Sequence, residues 1–278
     1  MILSRPIPSS GEALPIIGLG TWQTFDVGPG AQSRAPLRAI LHECVGAGAT
    51  VVDSSPMYGR SEKVAGDLIA ELQIRSRLFI ATKVWTREKS QGIAQMEASM
   101  QKLGVDRVDL MQVHNLVDAR THLDTLRGWK RDGRVRYVGV THYTSRGGEE
   151  IADLLETEAV DFVQINYNPL ERDAERRLFP LTRDRGIAVL ANRPLGGDTQ
   201  SLMKRLRNRP LPEWAAEIDC RSWAQIVLKF VVSHPAVTCA IPATSRPDHL
   251  RDNLLAGTGR LPNADIRERI VATIERTD

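Results

Sequence analysis

Asp53, Tyr58, Lys83 and His114 are the side chains of this sequence whose types and positions could move a proton to a substrate oxygen. Tyr58 follows Asp53 by five residues, across the loop Ser54-Ser55-Pro56-Met57. Lys83 closes the apolar run Leu78-Phe79-Ile80-Ala81-Thr82, and His114 closes Val108-Asp109-Leu110-Met111-Gln112-Val113. A phenol starts with a pKa near 10, too high for easy proton exchange at neutral pH. A nearby ammonium favours the phenolate and lowers that value. A carboxylate beside the lysine keeps it charged and pointed. Tyr58 then reads as a general acid, Lys83 as its tuner and Asp53 as the lysine's partner. His114 can hydrogen-bond the substrate oxygen and share the charge that develops there. This is the proton half of a carbonyl reduction. Singly, each residue has an ordinary explanation: a helix cap, a packed loop tyrosine, a solvated lysine, a satisfied core histidine. Their joint placement at strand ends argues for a site.

The elements that must position them repeat along the chain. Short β-branched or apolar runs at 16–19, 50–53, 78–83, 108–113, 135–140, 160–165, 187–191 and 236–241 read as buried strands. Between them, apolar residues at helical spacing predict helices near 35–47, 61–73, 90–103, 120–132, 147–156, 173–184 and 222–233, with a last pair at 247–256 and 263–276. Residues 1–15 read as an entry hairpin punctuated by Pro6, Pro8, Gly11 and Pro15. The stretch 193–221 reads as the longest irregular segment. Eight strand–helix units predict a parallel sheet closed into a single-domain (β/α)8 barrel, residues 1–278, with an N-terminal hairpin and C-terminal helices. The competing open, doubly wound sheet lacks its G-x-G-x-x-G turn after the first strand. In a barrel, strand C-termini gather on the face where active sites are built.

Composition narrows the class. The chain has 278 residues, 42% of them hydrophobic, enough for a substantial core. A net charge of +3, with no basic tract interleaved with aromatics, gives no argument for nucleic acid. The densest basic stretch, Lys204 to Arg209, reads as a solvated face, or as help in holding an anionic cofactor. Cys44, Cys220 and Cys239 form no C-x-x-C pair, which fits a reducing compartment. No run has signal-peptide or membrane-spanning character, so a cytoplasmic protein is expected. No Cys/His cluster has zinc spacing, and no metal is expected.

The chain resembles the aldo-keto reductase family of nicotinamide-dependent oxidoreductases. The resemblance rests on Ile17 to Trp22, the block from Asp53 to Gly66 with Tyr58 and Gly59 inside it, Ala81 to Trp85, and LGVDRVDLMQVH from Leu103 to His114. It continues through Gly139-Val140, Val163 to Pro169 and Ile241 to Asn253. It covers nearly the whole chain and implies the same four catalytic positions: Asp53, Tyr58, Lys83 and His114. By resemblance Trp22, Trp85 and Asn115 line the substrate pocket, Asn115 standing where the family often has tryptophan. Trp22 also belongs, with Gly20, Thr21 and Asp53, to the cofactor-facing set. Thr141, His142 and Gln164 match the contacts to the nicotinamide carboxamide, His142 replacing the usual asparagine. The family commonly stacks an aromatic ring on the nicotinamide after strand seven. Here that stretch runs Asn192, Arg193, Pro194, Leu195, Gly196, Gly197, with no aromatic, so Asn192 or Arg193 must cover the ring.

The resemblance also implies an adenosine-phosphate site at Ala243, Thr244, Arg246, His249, Asp252 and Asn253. The usual 2′-phosphate lysine and arginine align with Ala243 and His249. Arg246 and Thr244 could still hold that phosphate. NADP(H) is therefore the expected cofactor, with NAD(H) as the alternative. The implied activity is reduction of small-molecule aldehydes and ketones to alcohols by a monomer, with no nucleic-acid or membrane partner. The rival reading is a nicotinamide-binding sensor or regulatory subunit on the same fold, with little turnover.

Overall fold

A computed structural model describes residues 2–144, 146–197 and 201–276. The chain opens with an antiparallel hairpin, β1 (Ser4–Pro6) and β2 (Ala13–Pro15). Eight parallel strands follow: β3 (Leu19–Gly20), β4 (Val51–Asp53), β5 (Phe79–Val84), β6 (Val108–His114), β7 (Val135–Thr141), β8 (Phe162–Asn166), β9 (Ala188–Asn192) and β10 (Val237–Ala240). They pair in sequence order from β3 to β10. The two ends meet: the Gly18 N–H donates to Ala240 O at 2.8 Å, and the Ala240 N–H to Ile16 O at 2.9 Å. Parallel bridges pair Ile17 with Ala240 and Gly20 with Ala243. At that seam a Cβ on Gly20 would lie 2.8 Å from Ile241 O, so only glycine lets the two backbones approach. The expected (β/α)8 barrel is the fold.

The period of two sorts the strand residues. One set packs outward under the helices with Val52, Ile80, Met111, Val138, Val163 and Val189. The other fills the barrel. Val51, Phe79, Leu110, Tyr137, Phe162, Ala188 and Leu190 form the apolar floor, plugged from below by Ile7 and Leu14 of the hairpin. Further along the same faces the barrel turns polar: Asp53, Lys83, Gln112, His114, Thr141 and Gln164 are all buried.

The helices are α1 (Ala31–Ala47), α2 (Ser61–Leu72), α3 (Lys89–Leu103), α4 (Ala119–Arg131), α5 (Gly147–Leu155), α6 (Leu178–Asp184), α7 (Leu202–Leu206), α8 (Trp223–Ser233), α9 (Pro247–Leu255) and α10 (Ala264–Glu275). Four segments depart from the sequence expectation. The strand read at 16–19 is the two-residue β3, Leu19–Gly20. Helix α1 begins before Ala35, at Ala31, because its first turn is largely solvent-exposed and carries no apolar period. The expected helix 173–184 is a 3₁₀ turn, Asp173–Glu175, followed by α6. Pro180 fits the break: it has no N–H and is best accommodated in a first helical turn, where it sits in α6. The segment 193–221 is more ordered than expected, holding α7 and a 3₁₀ turn at Glu213–Ile218. Residues 198–200 of that segment lie outside the described residues. Among the described residues no helix is long and apolar enough to cross a membrane.

Candidate active site

The polar end of the barrel is built on one buried ion pair. Lys83 Nζ lies 2.8 and 2.7 Å from the two Asp53 carboxylate oxygens and 2.7 Å from Ser54 O. Asp53 also accepts from Gln164 Nε2 at 3.2 Å and from Gln112 Nε2 at 3.4 Å, while Gln112 donates to Gln164 Oε1 at 2.9 Å. Burial works against the Lys83 ammonium, but Asp53 and Tyr58 together outweigh it and hold its pKa above the ordinary lysine value. Gln112 belongs to this network although no motif marks it. A signal for it exists in the sequence: in β6 it lies two residues before His114, on the same inward face. Gly139 on the neighbouring strand leaves room for it, since a Cβ there would lie 3.1 Å from Gln112 Cγ.

Tyr58 stands over this pair, with Lys83 Nζ 5.2 Å from its ring centroid. The residue types alone lead one to expect that the lysine lowers the phenol's pKa. The balance runs the other way: burial raises it, Lys83 pulls it back, Asp53 raises it again, and the net lies above the usual tyrosine value. Burial is the largest of these effects, and the lysine's pull, partly opposed by its carboxylate partner, does not offset it. The phenol is therefore held in its proton-bearing form.

His114 meets the Tyr58 ring edge-on at 6.3 Å between centroids, and its Nδ1 lies 3.3 Å from Ser55 Oγ. Burial, with help from the Lys83 charge, lowers its pKa to about 3, so the imidazole is neutral. Tyr58 is anchored from the same loop, its N–H donating to Ser55 O at 3.0 Å.

Tyr58 and His114 open onto a cavity of about 450 Å³ at the C-terminal face of the barrel. Trp22, Trp85 and Asn115 line it, together with Met57 and Tyr143, which sequence reasoning missed. Gly20, Thr21, Asp53, Thr141, Gln164, Asn192, Arg193, Pro194 and Leu195 line it as well. Gly196 lines it too, and Gly197 does not. The Arg193 guanidinium carbon sits 5.1 Å from the Trp22 ring centroid and 4.9 Å from that of Tyr143, spanning the mouth as a cation between two aromatic faces. Its backbone holds φ at +46°, an uncommon conformation for a side chain of this size. A larger depression of about 660 Å³ lies elsewhere, lined by Arg75, Asp109 and Arg136, and shares no residue with this site.

His142 is not among the residues lining the cavity. Its Nδ1 accepts from the N–H groups of Tyr143 and Thr144 at 3.1 and 3.2 Å and lies 3.1 Å from Thr144 Oγ1. The ring thus caps its own loop, whereas an amide contact to a cofactor was expected of it.

A second cavity of about 300 Å³ adjoins the first, with Leu195 and Ala243 lining both. It brings together Thr244, His249, Asp252 and Asn253, and adds Arg207, the residue of the basic stretch just past the end of α7. The Asp252 carboxylate is held by Ser222 Oγ and Gln225 Nε2, both at 2.6 Å. Arg246 does not line this cavity. Its Nε lies 3.1 Å from Asp248 Oδ1 and its Nη2 2.5 Å from Oδ2, a pair formed at the surface because the two residues flank the start of α9. The continuous groove suits an elongated dinucleotide. At the Tyr58 end the buried Asn115 Oδ1 and Asn192 Oδ1 have no protein partner among the described residues, which suits the polar edge of a nicotinamide.

The sequence model of the aldo/keto reductase family matches residues 16–270. An aldo-keto reductase from Mycobacterium sp. (strain JLS) is 31% identical over 253 residues, covering 88% of this chain and 84% of the relative. The methylglyoxal reductase of Escherichia coli (strain K12) is 28% identical over 270 residues, covering 94% and 92%. Among solved structures, an aldo/keto reductase from Klebsiella pneumoniae in complex with NADP and acetate is similar with a TM-score of 0.76. It is 25% identical, with 96% of this chain and 92% of that one covered. The barrel geometry, the match over most of the chain and the similarity to these proteins lead to one conclusion: this chain belongs to the aldo/keto reductase family.

Proposed function

We propose that this protein reduces aldehydes and ketones to alcohols with NADPH. The observation that carries the reading is the opening of neutral Tyr58 and neutral His114 onto one cavity above the buried Lys83–Asp53 pair. When bound, the reduced nicotinamide supplies hydride to the carbonyl carbon. Tyr58 gives its proton to the oxygen, and Lys83 stabilises the phenolate left behind. His114 hydrogen-bonds the same oxygen, holds it in place and shares its developing charge. Trp22, Trp85 and Met57 supply apolar walls that favour carbonyls with aromatic or aliphatic substituents and exclude water. Asn115 makes one side more polar. No step in this scheme asks for a metal.

NADP(H) is proposed over NAD(H) on the strength of Arg207 and Thr244 in the second cavity and the NADP complex of the Klebsiella relative. The Arg246–Asp248 pair works against it, because that carboxylate competes for the guanidinium.

The test is nicotinamide oxidation by the pure protein with NADPH and with NADH, over a panel of aromatic and aliphatic aldehydes and ketones. Turnover with an NADPH preference supports both parts of the reading. The absence of a stacking aromatic at Asn192 and Arg193 favours a second reading, a cofactor-binding sensor. Tight cofactor binding with negligible turnover across the panel would select it.

A further inference from the structure

We infer that Ser55 is a positioning residue for His114: its hydroxyl fixes the ring tautomer that presents Nε2–H to the substrate oxygen. The inference rests on the proposed role of His114 as a donor to that oxygen. A neutral imidazole carries one ring proton, on Nδ1 or on Nε2, and the hydrogen bond at the other nitrogen selects between them. His114 stays neutral in this buried setting.

Ser55 is fully buried, and its Oγ lies 3.3 Å from His114 Nδ1. The same Oγ already accepts from the Met57 N–H at 3.3 Å. Its own proton needs an acceptor, and among the described residues the one recorded within reach is His114 Nδ1. With Nδ1 accepting, the ring proton lies on Nε2. The alternative, Nδ1–H donating to Ser55, leaves the serine proton without a partner in a buried place, at a cost. It also turns the Nε2 lone pair toward the substrate. A lone pair there would repel the carbonyl oxygen and compete for the Tyr58 proton.

Ser55 also holds Tyr58, whose N–H donates to its carbonyl oxygen at 3.0 Å. One loop residue thus ties both proposed donors to one point: Tyr58 through the serine backbone, His114 through the serine side chain. Replacing the side chain frees the histidine tautomer and leaves the tyrosine anchor intact.

The experiment is nitrogen NMR on protein labelled at histidine, with His114→Asn to assign the signals. Wild-type protein should show a single Nε2–H tautomer at His114, a readout that needs no turnover. In Ser55→Ala the two tautomers should mix, and kcat for a carbonyl substrate should fall about three- to tenfold. The dissociation constant for NADPH should be unchanged. Ser55→Cys, a weaker donor, should lie between the two. An Nδ1–H tautomer in wild-type protein overturns the inference. So does a Ser55→Ala protein that keeps both the Nε2–H form and full kcat. Wild-type protein that binds cofactor but turns over no carbonyl would instead count against the proposed function, with the tautomer result still standing.

Discussion

Lys83 Nζ and the Asp53 carboxylate meet at 2.8 and 2.7 Å with both residues almost wholly buried, and this pair is the foundation on which Tyr58 stands. Breaking one partner of a buried pair leaves an uncompensated charge and costs about 3–5 kcal/mol. Lys83→Met should therefore lower the thermal midpoint markedly as well as slow turnover. Lys83→Met with Asp53→Asn should recover much of the stability and none of the activity. Calorimetry beside a rate assay reads both, and a single variant as stable as the wild type would contradict the buried pair.

Tyr58→Phe removes the proposed proton donor and keeps the ring. Turnover should fall by roughly 10²–10⁴, the span of a general acid. Fluorescence titration should show NADPH binding changed little. Retained turnover would remove Tyr58 from the mechanism.

The pH profile should be flat through neutrality. Tyr58 must be protonated to act, and its pKa lies above the usual tyrosine value, so its loss of activity falls on the alkaline side, beyond about pH 10. His114 must be neutral, and its pKa of about 3 keeps it so throughout the working range. A break in log kcat/KM near pH 7 would mean that a different group supplies the proton.

Acid should destabilise the fold through the partly buried His234. His234, packed against Tyr167 and Phe179, is lowered by burial to about 4, against an ordinary value near 6.5. A depressed histidine binds its proton more readily in the unfolded chain. Its contribution to stability is thus full above about pH 6.5 and is lost as pH falls toward 4. His234→Gln should flatten the melting temperature between those limits, and an unchanged slope would show that His234 does not contribute to it.

Cofactor choice should move with two residues of the groove and its rim. Arg207→Ala should weaken NADPH binding severalfold and leave NADH binding nearly unchanged, because only the former carries a 2′-phosphate. Asp248→Asn frees the Arg246 guanidinium and should strengthen NADPH binding. Paired titrations with the two cofactors decide both outcomes.

The barrel and the four residues at its polar end were legible in the chain before folding. Buried strands and amphipathic helices leave periodic marks, and an eightfold repeat of the two units permits few folds. Asp53, Lys83 and His114 stood out because each ends an apolar run, and Tyr58 because it follows Asp53 at loop distance. Other features exist only in three dimensions. The pKa of Tyr58 is raised because desolvation, which depends on everything packed around the phenol, outweighs the pull of Lys83, and no strand-end pattern reveals that balance. His142 caps its own loop and Arg246 pairs with Asp248 because local backbone geometry, which residue type does not fix, directs the side chain. Arg207 reaches the groove beside Thr244, and Ser55 reaches His114, only because closing the barrel brings residues far apart in the chain onto one face.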